Sequence, residues 1–314
     1  MSKSPLVANR ADNSISVLSI QGKDVQLVDT VPMGEQVAAV AFTPDGKRAL
    51  AVTFPGHKAA LLEVDGQKVT YTKYDMNVGL WPYNIGVTPN GKLAITANNG
   101  AAGNADGHVD TVSIIDLEAT PPRVIDHVVV GDAPEGFAIS PTGEIAVAIL
   151  LNGSDGPWQA PFYNKNGRVA VLKIDGKTVT KIGDVEVGGL PEGAVFSQDG
   201  KYLYVGNFND RDVSILKVDG TNVTDTGKRL QLPGHPASMR GGPDRLLQLL
   251  RRDRGAARVR VQQGEAGREV PEGLVHHRPD WAEGMVLGDP LFRLNVAPHV
   301  ALLGIAAAHA VASS

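Results

Sequence analysis

The 314-residue sequence contains no cysteine. Without a thiol, the protein forms no disulfide, no thiolate metal site, no cysteine nucleophile and no haem attached through a CxxCH motif. Charge of one sign is not in excess either, because 30 Lys and Arg residues stand against 34 Asp and Glu residues, a net charge of -4. A protein that binds a nucleic-acid backbone needs a concentrated basic face. The composition therefore predicts no nucleic-acid partner.

Long hydrophobic runs are also lacking. The most apolar stretch, residues 300–312, is rich in Ala and Gly and too short to cross a bilayer, so we expect no membrane span. The N-terminus, MSKSPLVANR, begins a strand pattern within a few residues and has no apolar signal core. As written, the sequence predicts a cytoplasmic location, or a periplasmic one if an N-terminal signal has been lost.

What the sequence does contain is a repeat. Residues 202–220 read YLYVGNFNDRDVSILKVDG, in which two apolar runs flank a polar turn and a second turn, Asp-Gly, follows. This pattern is typical of a β-hairpin. The same layout recurs at residues 49–66, 93–117 and 145–176. A recurring unit of this size indicates a repeat architecture.

The repeat predicts a β-propeller. Four units open with a short strand and a turn, as in PYNIGVTPNGK from Pro82, and the turns at positions 44, 89, 141 and 198 have the spacing of four-stranded blades. Leu6–Ile20 matches the 202–220 hairpin with Asn9 on Asn207, so the chain begins halfway through a blade. We predict an all-β propeller of about six to seven blades in a complete ring, closed by the N-terminal strands.

Two inserts widen the spacing between units. Residues 100–107 and 153–167 are rich in Gly, Asn and Pro, and we place them as surface loops between the third and fourth strands of their blades. The exposed-looking aromatic residues are Trp81, Trp158, Phe162 and Tyr163, the last three on the longer insert. This insert is either a lid over the channel or a self-packed loop.

The hairpin YVGN-x(5)-VSILKVDG resembles the YVTN-type repeats of bacterial and archaeal β-propellers, a group similar to lactonase-like propellers that include 6-phosphogluconolactonase. The resemblance covers about residues 5 to 243. It implies catalysis or binding at one mouth of the central channel. It does not imply one chemistry, because this architecture carries hydrolases, electron-transfer proteins, lyases and binding scaffolds.

Candidate catalytic residues lie where the blades begin. Tyr83, Glu135 and Glu192 occupy equivalent positions, and His235 lies one position earlier in the next unit. Repeat symmetry predicts that they meet around one end of the axis, where two carboxylates held close together raise the pKa of one and can act as general acid or base. The alternative is that Pro-Glu-Gly is a repeat-encoded turn with solvated carboxylates.

The same carboxylates could hold calcium. Asn98 and Asn207 share a repeat position, and amide oxygens with Glu135 and Glu192 would form a set of hard oxygen ligands. This ligand type resembles the calcium sites of gluconolactonase and paraoxonase-like propellers, although their motifs are absent. The alternative is that each Asn caps its local turn through side-chain to backbone hydrogen bonds.

Together these features predict a lactonase-like hydrolase that acts on a small neutral lactone or ester at the channel mouth. The two carboxylates would repel an anion, which makes a sugar phosphate a poor substrate. The alternative is a non-enzymatic scaffold of the YVTN type that presents its loops to a small-molecule or protein partner. The residue pattern leaves both open.

The repeat stops near residue 243, so we predict a propeller at residues 5–243 and an atypical tail at 244–314. From Arg245 onward there is no Lys, Thr or Tyr, whereas 14 Lys and only 7 Arg precede it. One account is a divergent tail whose residues 245–252 form a short amphipathic helix. The other, which we favour, is a shifted reading frame near Pro243. In either case we expect the tail not to form regular blades.

Sequencing of the coding DNA distinguishes these accounts. A shifted frame that restores Asp-Gly turns and VSV-type strands after Pro243 is the expected result. An intact frame would reject the frame-shift account and leave the divergent tail.

Overall fold

The computed structural model describes residues 4–22, 24–100, 103–241, 246–251, 255–260 and 275–276, with side chains as far as Met239. Every regular element in these ranges is a β-strand, and the strands form antiparallel sheets. Within these ranges no helix is long and apolar enough to cross a membrane. The predicted all-β class is therefore confirmed.

The first sheet has three strands, β1 (Leu6–Asn9), β2 (Ser14–Gln21) and β3 (Asp24–Pro32), in the order β1-β2-β3. Leu6 pairs with Val17 and Asn9 with Ser14. By the match of Asn9 with Asn207, these strands correspond to the second, third and fourth strands of a blade. Leu6–Ile20 is thus paired in an antiparallel sheet, and its two strands correspond to the second and third strands of a blade.

The other five sheets have four strands each, and the chain runs through each sheet from its first strand to its fourth. The second sheet is β4 (Val37–Phe42), β5 (Arg48–Thr53), β6 (Lys58–Asp65) and β7 (Lys68–Asn77). The third is β8 (Pro82–Val87), β9 (Leu93–Asn98), β10 (Asp110–Asp116) and β11 (Arg123–Gly131). The fourth is β12 (Pro134–Ile139), β13 (Ile145–Leu150), β14 (Arg168–Asp175) and β15 (Thr178–Glu186). The fifth is β16 (Pro191–Phe196), β17 (Tyr202–Asn207), β18 (Asp212–Asp219) and β19 (Asn222–Gln231). The sixth is β20 (Pro236–Gly241), β21 (Leu246–Arg251), β22 (Gly255–Arg260) and β23 (Val275–His276).

Consecutive sheets pack face to face, and the second strands of the second to fifth sheets, β5, β9, β13 and β17, are almost entirely buried. In β13, Ala146, Ala148 and Leu150 join a core with residues of the third sheet. Ile145, Val147 and Ile149 of the same strand join a core with the fifth sheet. Because successive side chains of a strand point to opposite faces, one strand supplies two cores. This stacking of blades is the arrangement of a β-propeller.

Both inserts are placed differently from the prediction. Residues 99–109 connect β9 to β10, and residues 151–167 connect β13 to β14, so each lies between the second and third strands of its sheet. The inserts therefore leave the sheets at the end where the first strand begins.

The described part of the tail forms β-strands. Residues 246–251, which the divergent-tail account places in an amphipathic helix, form strand β21, which pairs with β20 and β22. A short apolar run fits either element, and here pairing with its neighbours decides. The predicted domain boundary at residue 243 falls inside the sixth sheet, and most of the predicted tail, 244–314, lies outside the described residues.

A buried asparagine braces the fifth sheet. The Asn207 Nδ2 atom donates to Asp212 Oδ1 at 2.6 Å and to Ser214 Oγ at 2.8 Å, and its Oδ1 accepts from the Gly188 N–H at 3.0 Å. Asn207 and Ser214 are completely buried. The amide therefore ties β17, β18 and the loop before β16 together.

Replacing Asn207 with Ala should lower the free energy of unfolding by about 2–4 kcal/mol, because the buried groups of Gly188, Asp212 and Ser214 lose their partner. The measurement is the midpoint of urea unfolding. Asn222→Ala, at an exposed position of β19, is the matched control and should change stability by less than about 0.5 kcal/mol. Equal midpoints for both variants would contradict this role of Asn207.

Candidate functional site

One extra residue lies near the start of the first strand in each four-stranded sheet. The register shifts at this point in β4, β8, β12, β16 and β20, which is the pattern of a β-bulge. The residues left outside the pairing are Ala38, Tyr83, Glu135, the Glu192-Gly193 pair and Ala237. A bulge re-aims side chains. The predicted site residues Tyr83, Glu135 and Glu192 are therefore bulge residues of three consecutive sheets.

The structure brings these three residues together. The Tyr83 hydroxyl hydrogen-bonds the Glu135 carboxylate, and Tyr83 lies within electrostatic reach of Glu192 and Arg10. Glu135, Glu192 and Arg10 are each half-buried. We call Arg10, Tyr83, Glu135 and Glu192 the Tyr83 cluster. Their convergence follows from equal positions in adjacent sheets.

The environment of Tyr83 favours its neutral form. Burial raises the pKa of Tyr83 far above its ordinary value, and the charge and hydrogen bond of Glu135 and the charge of Glu192 raise it further, with Arg10 opposing. A phenolate at this position would be poorly solvated and would face two carboxylates. Tyr83 is therefore a permanent hydrogen-bond donor in this cluster.

Arg10 was not among the predicted site residues. It follows Asn9 at the end of β1, the position that Phe54, Asn99, Leu151 and Phe208 occupy after the second strands of the later sheets. Its guanidinium carbon lies 4.0 Å from the centre of the Phe54 ring. The sequence signal was the alignment of Asn9 with Asn207, which also identifies the residue after each asparagine as equivalent.

An aromatic wall supports Tyr83 from the second sheet. Phe54 is completely buried, and its ring centre lies 5.1 Å from that of Trp81 and 5.6 Å from that of Tyr83. The Trp81 N–H donates to His57 Nδ1 at 3.0 Å, so His57 fixes the backbone before β8. Tyr83 packs against these aromatic rings on one side and faces the charged groups of the cluster on the other, and both contacts limit its motion.

Backbone packing explains the glycine after Glu135. A Cβ atom at Gly136 would collide with the carbonyl oxygen of Glu192 and crowd the side chain of Ile149. Only glycine lets β12 and β16 approach this closely. The glycine of this motif thus brings the first strands of the fourth and fifth sheets, and with them Glu135 and Glu192, near each other, and both glutamates are half-buried.

His235 precedes β20 and lies beside the neighbouring sheet. Its Nδ1 is 2.7 Å from the carbonyl oxygen of Phe208, and the two rings have centres 4.6 Å apart. A carbonyl oxygen can only accept, so Nδ1 carries the proton. In the neutral imidazole, Nε2 is then an acceptor.

Asn98 and Asn207 do not face the glutamates. Asn98 Oδ1 accepts from Thr96 Oγ1 at 2.8 Å, and its Nδ2 donates to Thr111 and Ser113. Like Asn207, it uses both ends of its amide within its own blade. Among the described residues no group of three or more His, Asp or Glu is arranged to hold a metal ion. The amides therefore do not fit the predicted calcium ligand set, and a calcium site stays a prediction.

The longer insert is tethered at its base. The Ser154 hydroxyl donates to the Leu151 carbonyl at 2.6 Å and accepts from the Leu190 N–H at 2.9 Å, and Asn209 Nδ2 donates to the Ser154 carbonyl at 3.2 Å. Phe162 packs on the shorter insert at Gly107. Trp158 is 73% exposed. The insert is thus a packed loop that presents one tryptophan to solvent.

The electrostatics of the cluster predict that Tyr83 does not ionise in the pH range in which an ordinary tyrosine does. Because Tyr83 keeps its proton, titration of tyrosine absorbance below about pH 11 should be the same for the wild type and Tyr83→Phe, although an ordinary tyrosine ionises near pH 10. N-acetyltyrosinamide in the same buffers is the reference. If the variant loses one ionisation between about pH 9 and pH 11, the described burial and hydrogen bond of Tyr83 are wrong.

No protein-family model and no curated protein matches the chain. Similar folds are found among solved structures. Hydrazine synthase of Kuenenia stuttgartiensis is 19% identical with a TM-score of 0.67, over 87% of this chain and 78% of that one. A putative 6-phosphogluconolactonase from Bacteroides fragilis is 21% identical with a TM-score of 0.62, over 75% and 69% of the two chains. The periplasmic gluconolactonase PpgL of Pseudomonas aeruginosa is 13% identical with a TM-score of 0.52, over 84% and 93%. Likenesses at these identities show the fold alone, and the fold of the chain is that of a β-propeller.

Proposed function

We propose that the protein is a lactonase-like hydrolase that opens a small neutral lactone or ester at the channel mouth, with the Tyr83 cluster as its active site. The observation that carries the proposal is the hydrogen bond from Tyr83 to Glu135 with Glu192 and Arg10 in electrostatic reach. This set combines carboxylates, which accept a proton, with donors, which stabilise an oxyanion. The likeness to gluconolactonase-type structures is consistent with this reaction class but does not identify the substrate.

Glu192 is the general base in this proposal. Glu135 already accepts the hydrogen bond of Tyr83, so its role is to hold that side chain. Glu192 takes a proton from water while the water oxygen bonds to the carbonyl carbon. The same proton then passes to the leaving alkoxide oxygen as the carbon–oxygen bond breaks. The product is a hydroxy acid, or an acid and an alcohol from an open ester.

Arg10 and Tyr83 stabilise the oxyanion. Guanidinium is always charged, and the Tyr83 hydroxyl is always protonated at working pH, so both donate to the oxygen on which charge develops. When Tyr83 turns to the oxyanion, it gives up its bond to Glu135. His235, whose Nε2 is an acceptor, is a second base on the neighbouring sheet that can orient the attacking water.

The charge of the site favours neutral substrates. Two carboxylates and one guanidinium leave a net negative cluster, which attracts cations and repels anions. Arg10 weakens the repulsion expected from the glutamates alone without reversing it. A phosphorylated lactone is therefore disfavoured. The carboxylate product is repelled as well, which assists its release.

A panel of neutral lactones, aryl esters and one phosphorylated lactone tests the proposal. We expect hydrolysis of neutral compounds, a loss of about 10²–10⁴ in kcat for Glu192→Gln and of about 10²–10³ for Tyr83→Phe. Activity should persist in the presence of a chelator, because Asn98 and Asn207 are committed within their sheets. The initial rate of acid release is the measurement.

Glu63→Gln is the matched control, because Glu63 is exposed on β6 and the substitution removes the same charge. It should leave kcat unchanged. Preference for the phosphorylated lactone would overturn the charge argument. Equal activity of Glu192→Gln and the wild type would overturn the assignment of Glu192 as base.

One observation favours the alternative of a binding scaffold. Trp158 is 73% exposed on an insert whose base is held by Ser154 and Asn209, so a rigid loop presents an apolar ring to solvent. Exposed aromatic residues on fixed loops are typical of interaction sites. A panel without any hydrolysis in the wild type would favour this function over the hydrolase.

A further inference from the structure

A cavity of about 300 Å³ lies among the first strands of four consecutive sheets. Its wall includes Val87, Phe137, Ile139, Val195, Phe196 and Met239. Val87, Ile139 and Phe196 are the last residues of β8, β12 and β16. The cavity therefore extends along the first strands toward the ends opposite to the bulges.

The side chains that line this cavity are largely apolar. No lining residue is charged, and the one hydroxyl, that of Ser140, is 3.1 Å from Thr142 Oγ1 within its own turn. A volume near 300 Å³ is at the lower end of small-ligand pockets. Binding in such a cavity is favoured for apolar groups, which leave water, and disfavoured for charged groups, which lose their hydration. Its occupant is therefore an uncharged hydrocarbon group.

The first strands that carry the proposed catalytic residues also line the cavity. Phe137 lies two residues after Glu135 on β12, and Ala194, also in the wall, lies two residues after Glu192 on β16. Two residues of a strand span roughly 7 Å. The same two strands therefore carry the carboxylates at one end and the apolar wall beyond them.

We propose that this cavity binds the unbranched alkyl chain of the ester or lactone that the Tyr83 cluster opens. The reaction in this inference rests on the proposed function, whereas the binding of the alkyl chain rests on the cavity. The polar carbonyl group stays with Arg10 and Tyr83, and the chain extends along Phe137, Ile139 and Phe196. The substrate class is then an alkyl ester or alkyl-substituted lactone rather than a polyhydroxylated one.

Chain length is the first test. For p-nitrophenyl acetate, butyrate, hexanoate and octanoate, kcat/KM should rise about fourfold with each added methylene until the cavity is filled. This factor corresponds to about 0.8 kcal/mol for each buried CH₂. A value of kcat/KM that is constant or falls along the series would overturn the proposal.

The repeat offers a matched pair of substitutions. Ala138 lines the cavity, and Ala41 holds the equivalent position on β4 outside the wall. Ala138→Phe should reduce octanoate turnover at least tenfold and leave acetate turnover unchanged, whereas Ala41→Phe should leave the ratio of the two unchanged. If Ala138→Phe fails to fold by circular dichroism, Ala138→Val, which copies Val195, should give a smaller shift in the same direction. Equal loss of acetate and octanoate turnover in a folded Ala138 variant would reject the assignment of the cavity.

Binding without turnover separates this inference from the proposed function. We expect 1-octanol to bind the wild type more tightly than 1-butanol by calorimetry, and Ala138→Phe to abolish the difference. Octanol binding in a protein that hydrolyses nothing would refute the hydrolase and retain the alkyl site. Hydrolysis in a protein that binds both alcohols equally would retain the hydrolase and refute the alkyl site.

Discussion

The structure depends on the packing of each sheet against the sheet that follows it in the chain. Strand β13 shows why, because alternate residues of one six-residue strand complete the cores on both sides. A single blade exposes two apolar faces and has no core of its own, so its stability comes from its neighbours. The same requirement fixes the relative position of adjacent blades, since the side chains of one sheet fill the spaces of the next. Residues at equal positions in adjacent blades are thereby held at a constant separation.

That constancy made much of the molecule predictable from the sequence. The turns and hairpins repeat visibly, and the equal placement of Tyr83, Glu135 and Glu192 was enough to expect that they meet. Arg10 was missed because it follows β1, which corresponds to the second strand of a blade, rather than opening a blade, and its approach to Tyr83 depends on packing over Phe54. The cavity was missed because its wall comes from four sheets, and no periodicity within one strand records a shared empty volume. The strand at residues 246–251 was missed because a short apolar run has no decisive period of its own.

The asparagines show how a repeat position is misread. Asn98 and Asn207 are conspicuous in the sequence because they recur, and recurrence alone does not separate a ligand from a brace. In the structure their amides are consumed by hydroxyl, carboxylate and backbone groups of the same blade. The residues that can take part in chemistry are those that differ between equivalent positions of the repeat. Arg10 stands where the second sheet has Phe54, and Tyr83 stands where the second sheet has Ala38. Structural roles repeat around the ring, whereas the cluster is confined to one part of it.

The bulge at the start of each blade has an evolutionary consequence. Its extra residue takes no part in the hydrogen-bond ladder, so changing that residue leaves the strand register intact, although Ala38 also belongs to a buried core. The extra residue of each bulge can therefore be replaced without a change in strand pairing. These residues are Ala38, Tyr83, Glu135, Glu192 and Ala237. New chemistry can arise by single substitutions at these bulge positions without a prior loss of folding stability. The bulge residues are thus separate from the residues that pair the strands. This is one physical reason why a single architecture can serve unrelated reactions.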